Sequence, residues 1–123
     1  MVGADVGRVL LNLFSNAFYA VQQRQQANGH TRYEPTVHVS TQQVGPQVEI
    51  RVSDNGTGMS AAVQAKIFQP FFTTKPIGEG TGLGLSLSHD IIAQGYGGTL
   101  SMESREGQGT TFSVALPLNE AAH

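Results

Sequence analysis

The sequence predicts an α+β fold: a two-layer α/β sandwich in which helices cover one face of a mixed, mostly antiparallel sheet. Three observations predict it. Apolar residues in the first part of the chain recur at helical spacing. Two later pairs of segments alternate apolar and polar residues, the period of a half-buried strand. Those strands come in adjacent pairs and not singly between helices, which favours hairpins over a doubly wound parallel sheet.

Residues 5–24 read as an amphipathic helix, with Val6, Val9, Leu10, Leu13, Ala17, Ala20 and Val21 at helical spacing. Residues 25–35 (QQANGHTRYEP) are polar, contain Asn28-Gly29 and Pro35, and read as a loop. Strands over 37–41 and 48–52 flank Gly45-Pro46 as a hairpin. Ser60 suits the N-cap of a short helix running to Ile67. Residues 69–82 (QPFFTTKPIGEGTG) lack periodicity and read as a long mobile loop. A second long helix follows, with Leu83, Leu87 and Ile91 on one face, ending before Gly95. Segments 99–104 and 110–116 make a second hairpin around the turn 105–109, and the residues from Asn119 form a frayed tail.

Composition narrows the function. A chain of 123 residues fits one domain. A formal net charge of −2 suggests neither nucleic-acid binding nor a polybasic membrane anchor. With no cysteine, disulfides and thiolate metal sites are excluded. No apolar run approaches the roughly 20 residues of a membrane span. Asp5 and Arg8 interrupt the first apolar stretch, so no signal peptide is visible. The expectation is a small soluble cytoplasmic domain. Its 15 glycines call for sharp turns or backbone laid against a ligand.

Several chemistries are absent. The sequence holds no G-x-x-x-x-G-K-[ST] loop, no G-x-G-x-x-G, no G-x-S-x-G and no H-E-x-x-H. Four segments remain. Asn12 and Asn16 lie one helical turn apart, and their carboxamide oxygens are hard, neutral ligands suited to Mg²⁺. Taken alone, they read equally well as a polar helix edge. Asp54, Gly56 and Gly58 stand at a strand end, where a carboxylate can accept a hydrogen bond from an exocyclic amine such as that of adenine. Alone, this is also an ordinary Asp-Asn-Gly turn. Gly80-Thr81-Gly82-Leu83-Gly84-Leu85 runs into a helix whose N-terminal amides suit phosphate. Gly107-x-Gly109-Thr110-Thr111-Phe112 offers a hydroxyl at Thr110, with Phe112 a core residue.

In this order the four segments resemble the ATP-binding catalytic domain of two-component sensor histidine kinases, in the GHKL superfamily shared with DNA gyrase B subunits and heat-shock chaperones. The resemblance runs from about residue 5 to 118: N box at 12–17, G1 box at 54–58, F box at Phe68, Phe71 and Phe72, and G2 box at 80–85. It implies ATP and Mg²⁺ as cofactors. Asp54 would contact adenine N6; Asn16, helped by Asn12, would hold Mg²⁺. Gly82 and Gly84 would flank the phosphates. Residues 71–82 would form a lid carrying Lys75 as phosphate contact, with Phe71 and Phe72 as anchors. Tyr19, Gly56, Gly58, Met59, Gly80, Thr81, Leu83, Leu85 and Thr110 would complete the nucleotide site. Tyr19 and Ala20 replace the lysine and aromatic residue common in many relatives, and Tyr96 stands where His-Gly-Gly is usual.

Gyrase-like and chaperone-like members carry a glutamate where this chain has Asn12. A carboxamide cannot deprotonate water, so the resemblance favours a histidine protein kinase over a fast ATPase. The γ-phosphate would go to a histidine on a separate dimerisation domain, absent from this sequence, with a response regulator downstream. His89-Asp90 superficially resembles an acceptor box but lacks its proline and lies inside a helix, so it reads as structural. The chain also starts late relative to the family, which predicts an open sheet edge and a monomer or weak dimer. A GHKL module that binds nucleotide without catalysis, and an anti-sigma-factor-like serine kinase, are the alternatives.

Overall fold

The computed structural model describes residues 3–28, 33–69 and 84–117. Helix α1 (Gly3–Asn28) is followed by strands β1 (Val37–Val44) and β2 (Gln47–Asp54). The short helix α2 (Ala61–Gln64) comes next, then α3 (Gly84–Asp90), which continues into a π-helical turn, Ile91–Gly95. Strands β3 (Thr99–Arg105) and β4 (Gly109–Pro117) close the order. The sheet runs β1-β2-β4-β3, and its strand pairs are antiparallel.

Each hairpin is local, and the β2–β4 pairing joins them, with Asp54 opposite Thr110 and Val52 opposite Phe112. Gly45 at φ +59° followed by Pro46 has the φ pattern of a type II′ turn, whose twist matches that of the strands it joins. Alternation then divides the sheet into two faces. Val52, Leu100, Phe112 and Val114 point to one side and meet Val9, Leu13 and Ala17 of α1 and Ile92 of the π turn, all buried. Glu49, Arg51, Ser53, Ser101, Glu103, Thr111 and Ser113 alternate with them on the other face, where the Ser53 and Thr111 hydroxyls pair at 2.8 Å. The helices therefore cover one face, as the pattern predicts.

The structure corrects several boundaries. Helix α1 extends to Asn28, because Gln22, Gln23, Arg24, Gln25, Gln26 and Ala27 are sound helix formers whatever their polarity. Both hairpins run further toward their turns, since polar residues at exposed ladder positions do not interrupt backbone pairing. The helix capped by Ser60, whose Oγ accepts from the Val63 amide at 3.3 Å, ends at Gln64 and not at 67. A tighter turn follows, in which the Lys66 amide bonds the Val63 carbonyl.

The expected apolar face of α3 is also revised. Leu87 is 51% exposed, whereas Ser88 and Ile92 are fully buried. Two causes act. Ser88 resolves its polarity locally by donating to the Gly84 carbonyl at 2.7 Å, so a serine can face the core. The π turn then shifts the phase of the residues after it. Leu83, the loop 69–82 from residue 70 onward, and the tail from 118 lie outside the described residues.

Candidate functional site

Asp54 ends β2, and the chain leaves the sheet immediately after it. Its carboxylate accepts the Gly56 N–H at 2.9 Å, a two-residue turn closed by the side chain. Burial pushes the Asp54 carboxyl above its ordinary value, while the Gly56 and Thr110 backbone amides pull it back down. The residue also lines a cleft of about 490 Å³ with Gln64, Met102, Ser104, Gly109 and Thr110.

The loop after Asp54 is wedged from two sides. A Cβ on Gly56 would stand 2.5 Å from the Ala20 carbonyl carbon, so only glycine lets the loop lie against the α1 backbone. On the other side Gly58 has φ +68°, and a Cβ there would strike the Arg105 carbonyl oxygen. The Gly107 amide fastens this contact by donating to the Thr57 carbonyl at 2.7 Å. The predicted G1 glycines thus serve close packing of backbone on backbone.

A second network ties the loop to β3 and β4. The Met59 amide donates to Ser104 Oγ at 2.9 Å, and Ser104 Oγ donates to the Gly109 carbonyl at 3.0 Å. Gln64 Nε2 bridges the carbonyls of Met59 and Ser104 at 2.8 and 3.1 Å. The Thr110 hydroxyl, expected to face a ligand, pairs with Ser104 Oγ at 2.8 Å and is 5% exposed. Its closest role is to brace Ser104.

Arg24 and Tyr33 complete the loop's surroundings. Arg24 NH1 donates to the carbonyls of Asn55 and Gly56 at 3.0 and 3.3 Å, and its guanidinium lies 4.8 Å from the Tyr33 ring centroid. The Tyr33 hydroxyl reaches the Asn55 carbonyl at 2.9 Å and Asn55 Oδ1 at 3.0 Å. Neither residue, nor Ser104 nor Gln64, carries a motif signal. The nearest hint in the sequence is a lone arginine in a glutamine-rich helix end.

Eight residues separate Ala20 from Asn12, about 12 Å along the helix at 1.5 Å per residue. There Asn12 Nδ2 donates to Ser88 Oγ at 3.1 Å and approaches the Gly84 carbonyl at 3.4 Å. This position is built for a donor. A carboxylate placed there would confront a carbonyl oxygen. Asn16 and Tyr19 follow at i+4 and i+7 on the same flank, both half-buried. Leu85 and Met59 pack against the core, as does Phe68, which contacts Phe112 edge-on at 6.4 Å and His89 at 5.3 Å between ring centroids. His89 is partly exposed and lies against the Phe68 ring. Phe71, Phe72, Lys75, Gly80, Thr81, Gly82 and Leu83 lie outside the described residues.

Among the described residues no group of three or more His, Asp or Glu could hold a metal ion. The donors available at this end are the neutral carboxamides of Asn12 and Asn16. That set fits Mg²⁺, which keeps several waters and draws its anionic ligands from substrate phosphates.

The family model for histidine kinase-, DNA gyrase B- and HSP90-like ATPases matches residues 1–120. The chain belongs to this family. Among curated members, the sensor histidine kinase ZraS of Escherichia coli (strain K12) is 42% identical over 112 residues, covering 91% of this chain and 21% of ZraS. The sensor kinase CckA of Brucella abortus (strain 2308) is 43% identical over 124 residues, covering 94% of this chain and 13% of CckA. The chain therefore spans about a fifth or less of these relatives. In fold it resembles the catalytic domain of histidine kinase ThkA, with TM-score 0.71 and 33% identity over 92% of this chain and 66% of that one. It also resembles full-length ShkA in complex with AMPPNP, with TM-score 0.74 and 25% identity over 92% of this chain and 21% of ShkA. These members share the α+β GHKL ATP-binding fold. No described helix is long and apolar enough to cross a membrane.

Proposed function

We propose that this domain binds ATP with Mg²⁺ and, within a longer cytoplasmic or membrane-attached sensor kinase, delivers the γ-phosphate to a histidine on a separate dimerisation domain. A response regulator would act downstream. The observation that carries the reading is the Asp54 carboxylate, held by backbone amides at the edge of a cleft and able to accept the adenine N6 amine. Met59 and Leu85, which pack against the core, would supply apolar contact to the nucleotide, with Gly56 and Gly58 keeping the loop close-packed.

At the other end Asn16 and Asn12 would hold Mg²⁺ through their carboxamide oxygens. Bound there, Mg²⁺ would neutralise phosphate charge. Lys75 and the segment Gly80, Thr81, Gly82, Leu83 and Gly84 take the phosphates, with Tyr19, Phe72 and Thr110 bordering the nucleotide. The domain supplies no carboxylate at position 12 to activate water. Asn12 instead donates to α3, which supports transfer to a protein acceptor over hydrolysis. The resemblance to a kinase solved with AMPPNP supports the same reading.

Calorimetric titration of AMPPNP into wild type and Asp54→Asn, with and without Mg²⁺, tests the binding step. Expected is micromolar, Mg²⁺-sensitive binding that the variant loses; equal binding by both proteins would remove Asp54 from the site. Phosphate transfer from ATP to an added cognate acceptor domain then separates a kinase from a nucleotide-binding scaffold.

A further inference from the structure

The peptide unit between Asn55 and Gly56 is gripped at both ends. Its N–H, on Gly56, donates to Asp54 Oδ1 at 2.9 Å. Its C=O, on Asn55, receives Arg24 NH1 at 3.0 Å and the Tyr33 hydroxyl at 2.9 Å. In a trans peptide these two groups point in opposite directions, so whatever fixes the oxygen aims the N–H. The Asn55 side chain locks the same unit: its Oδ1 accepts the Thr36 amide at 2.8 Å and its Nδ2 donates to the Glu34 carbonyl at 2.8 Å. Arg24 also reaches the next carbonyl, Gly56, at 3.3 Å.

From this geometry we infer that Arg24 is a positioning residue for nucleotide recognition, acting through the Asn55–Gly56 peptide to orient the Asp54 carboxylate and keep it charged. This rests on the reading of Asp54 as the adenine contact. A guanidinium on the carbonyl polarises the peptide and strengthens its N–H as a donor, which favours the carboxylate against the burial that opposes it. Tyr33 supports the same carbonyl and stacks on the guanidinium. Tyr33 is the titratable group that interacts electrostatically with Asp54, and Glu103 and Arg105 of β3 line the same cleft. Among the described residues Arg24 is the cation bonded to this peptide.

The test uses the 123-residue chain, with two readouts on wild type, Arg24→Gln, Arg24→Lys and Tyr33→Phe. One is AMPPNP affinity by calorimetry; the other is the pH midpoint of the Asp54 carboxyl by carbon-detected NMR. Arg24→Gln is expected to weaken AMPPNP by about tenfold, the scale of one charge-assisted hydrogen bond. It should also move the Asp54 midpoint upward, while inorganic tripolyphosphate, a probe without a base, binds as it does to wild type. Arg24→Lys should recover part of both effects, and Tyr33→Phe should show a smaller shift in the same direction. A folded Arg24→Gln with unchanged affinity and an unchanged Asp54 midpoint overturns the inference. If Arg24→Gln does not fold, wild-type values in both Arg24→Lys and Tyr33→Phe overturn it equally. Failure of the adenine reading looks different: Asp54→Asn would bind AMPPNP like wild type while the Asp54 midpoint still responded to Arg24.

Discussion

At the Arg24 end of α1 several chain segments converge on one loop, whereas at the other end the Asn12 carboxamide reaches across to α3. The first end is over-determined. Gly56 lies on the helix backbone, Gly58 lies on the β3–β4 turn, Asp54 is held by the loop's own Gly56 amide, and Asn55 and Thr57 are hydrogen-bonded to segments outside the loop. Among the described residues, the hydrogen bonds from Asn12 at the second end go to Ser88 and the Gly84 carbonyl, and these groups are neutral. The contrast fits a division of labour. A planar base is recognised by a fixed acceptor, which benefits from rigid support. A polyphosphate brings its own charge and cation and changes during transfer, so the asparagines that meet the cation can stay neutral.

The largest test of the rigid end is Gly58→Val. A β-branched residue at φ +68° with its Cβ against the Arg105 carbonyl should lower the unfolding free energy by about 2–4 kcal/mol in a urea titration. A neutral result would break the view that the loop is wedged.

Asp54→Asn should act in opposite directions on binding and stability. Affinity for AMPPNP should drop at least about tenfold. Because folding raises the Asp54 pKa, its contribution favours the fold at acid pH and is lost as pH rises through the raised value. At neutral pH the charged carboxylate is thus a standing cost, and its removal should raise the melting temperature of the ligand-free protein. For the same reason, wild-type affinity for AMPPNP should weaken as pH falls through that raised value, a trend calorimetry at stepped pH would follow.

Asn12→Glu probes the other end. It exchanges a donor to the Gly84 carbonyl for an acceptor and should cost about 1–2 kcal/mol in thermal unfolding. A phosphate-release assay should show no gain in ATP hydrolysis; rapid hydrolysis would show that position 12 alone separates kinase from ATPase here. The smallest effect concerns the metal. Mg²⁺ should leave adenosine affinity unchanged within about twofold while strengthening AMPPNP binding, since the uncharged Asn12 and Asn16 leave the cation to draw its anionic ligands from phosphate. Enhanced adenosine binding would mean that the two ends are coupled.

Much of this was legible from residue pattern. Alternation in 37–41, 48–52, 99–104 and 110–116 locates the four described strands; β2, β3 and β4 each put one face on a common core, whereas the first strand of the hairpin alternates but stays largely exposed, with only Val37 packed against that core. The stripe Val9, Leu13, Ala17 identifies the buried face of α1 for the same reason. Leu87 defeats the argument, because a buried serine with a local backbone acceptor counts as core-compatible while periodicity treats it as polar. At the site, motif spacing singles out Asp54, Gly56, Gly58 and Asn12, and the structure gives each a defined place. Arg24 and Tyr33 escape because their partners lie far away in sequence, and Gln64 and Ser104 because a single glutamine or serine near a turn carries no pattern of its own. Thr110 shows a third case: the residue is at the site, but its hydroxyl is already bonded to Ser104.

The pairing of β2 with β4 bears on how the molecule assembles. Either hairpin closes over a short turn, but bringing Asp54 opposite Thr110 requires closing the whole intervening span. The entropy lost in such a closure rises with the logarithm of its length, and topologies dominated by such closures fold slowly. The Asp54 cleft straddles that seam. A nucleotide bound there, as proposed, would hold the two hairpins together and slow their separation, so ligand would lengthen the lifetime of the folded domain as well as deepen its stability.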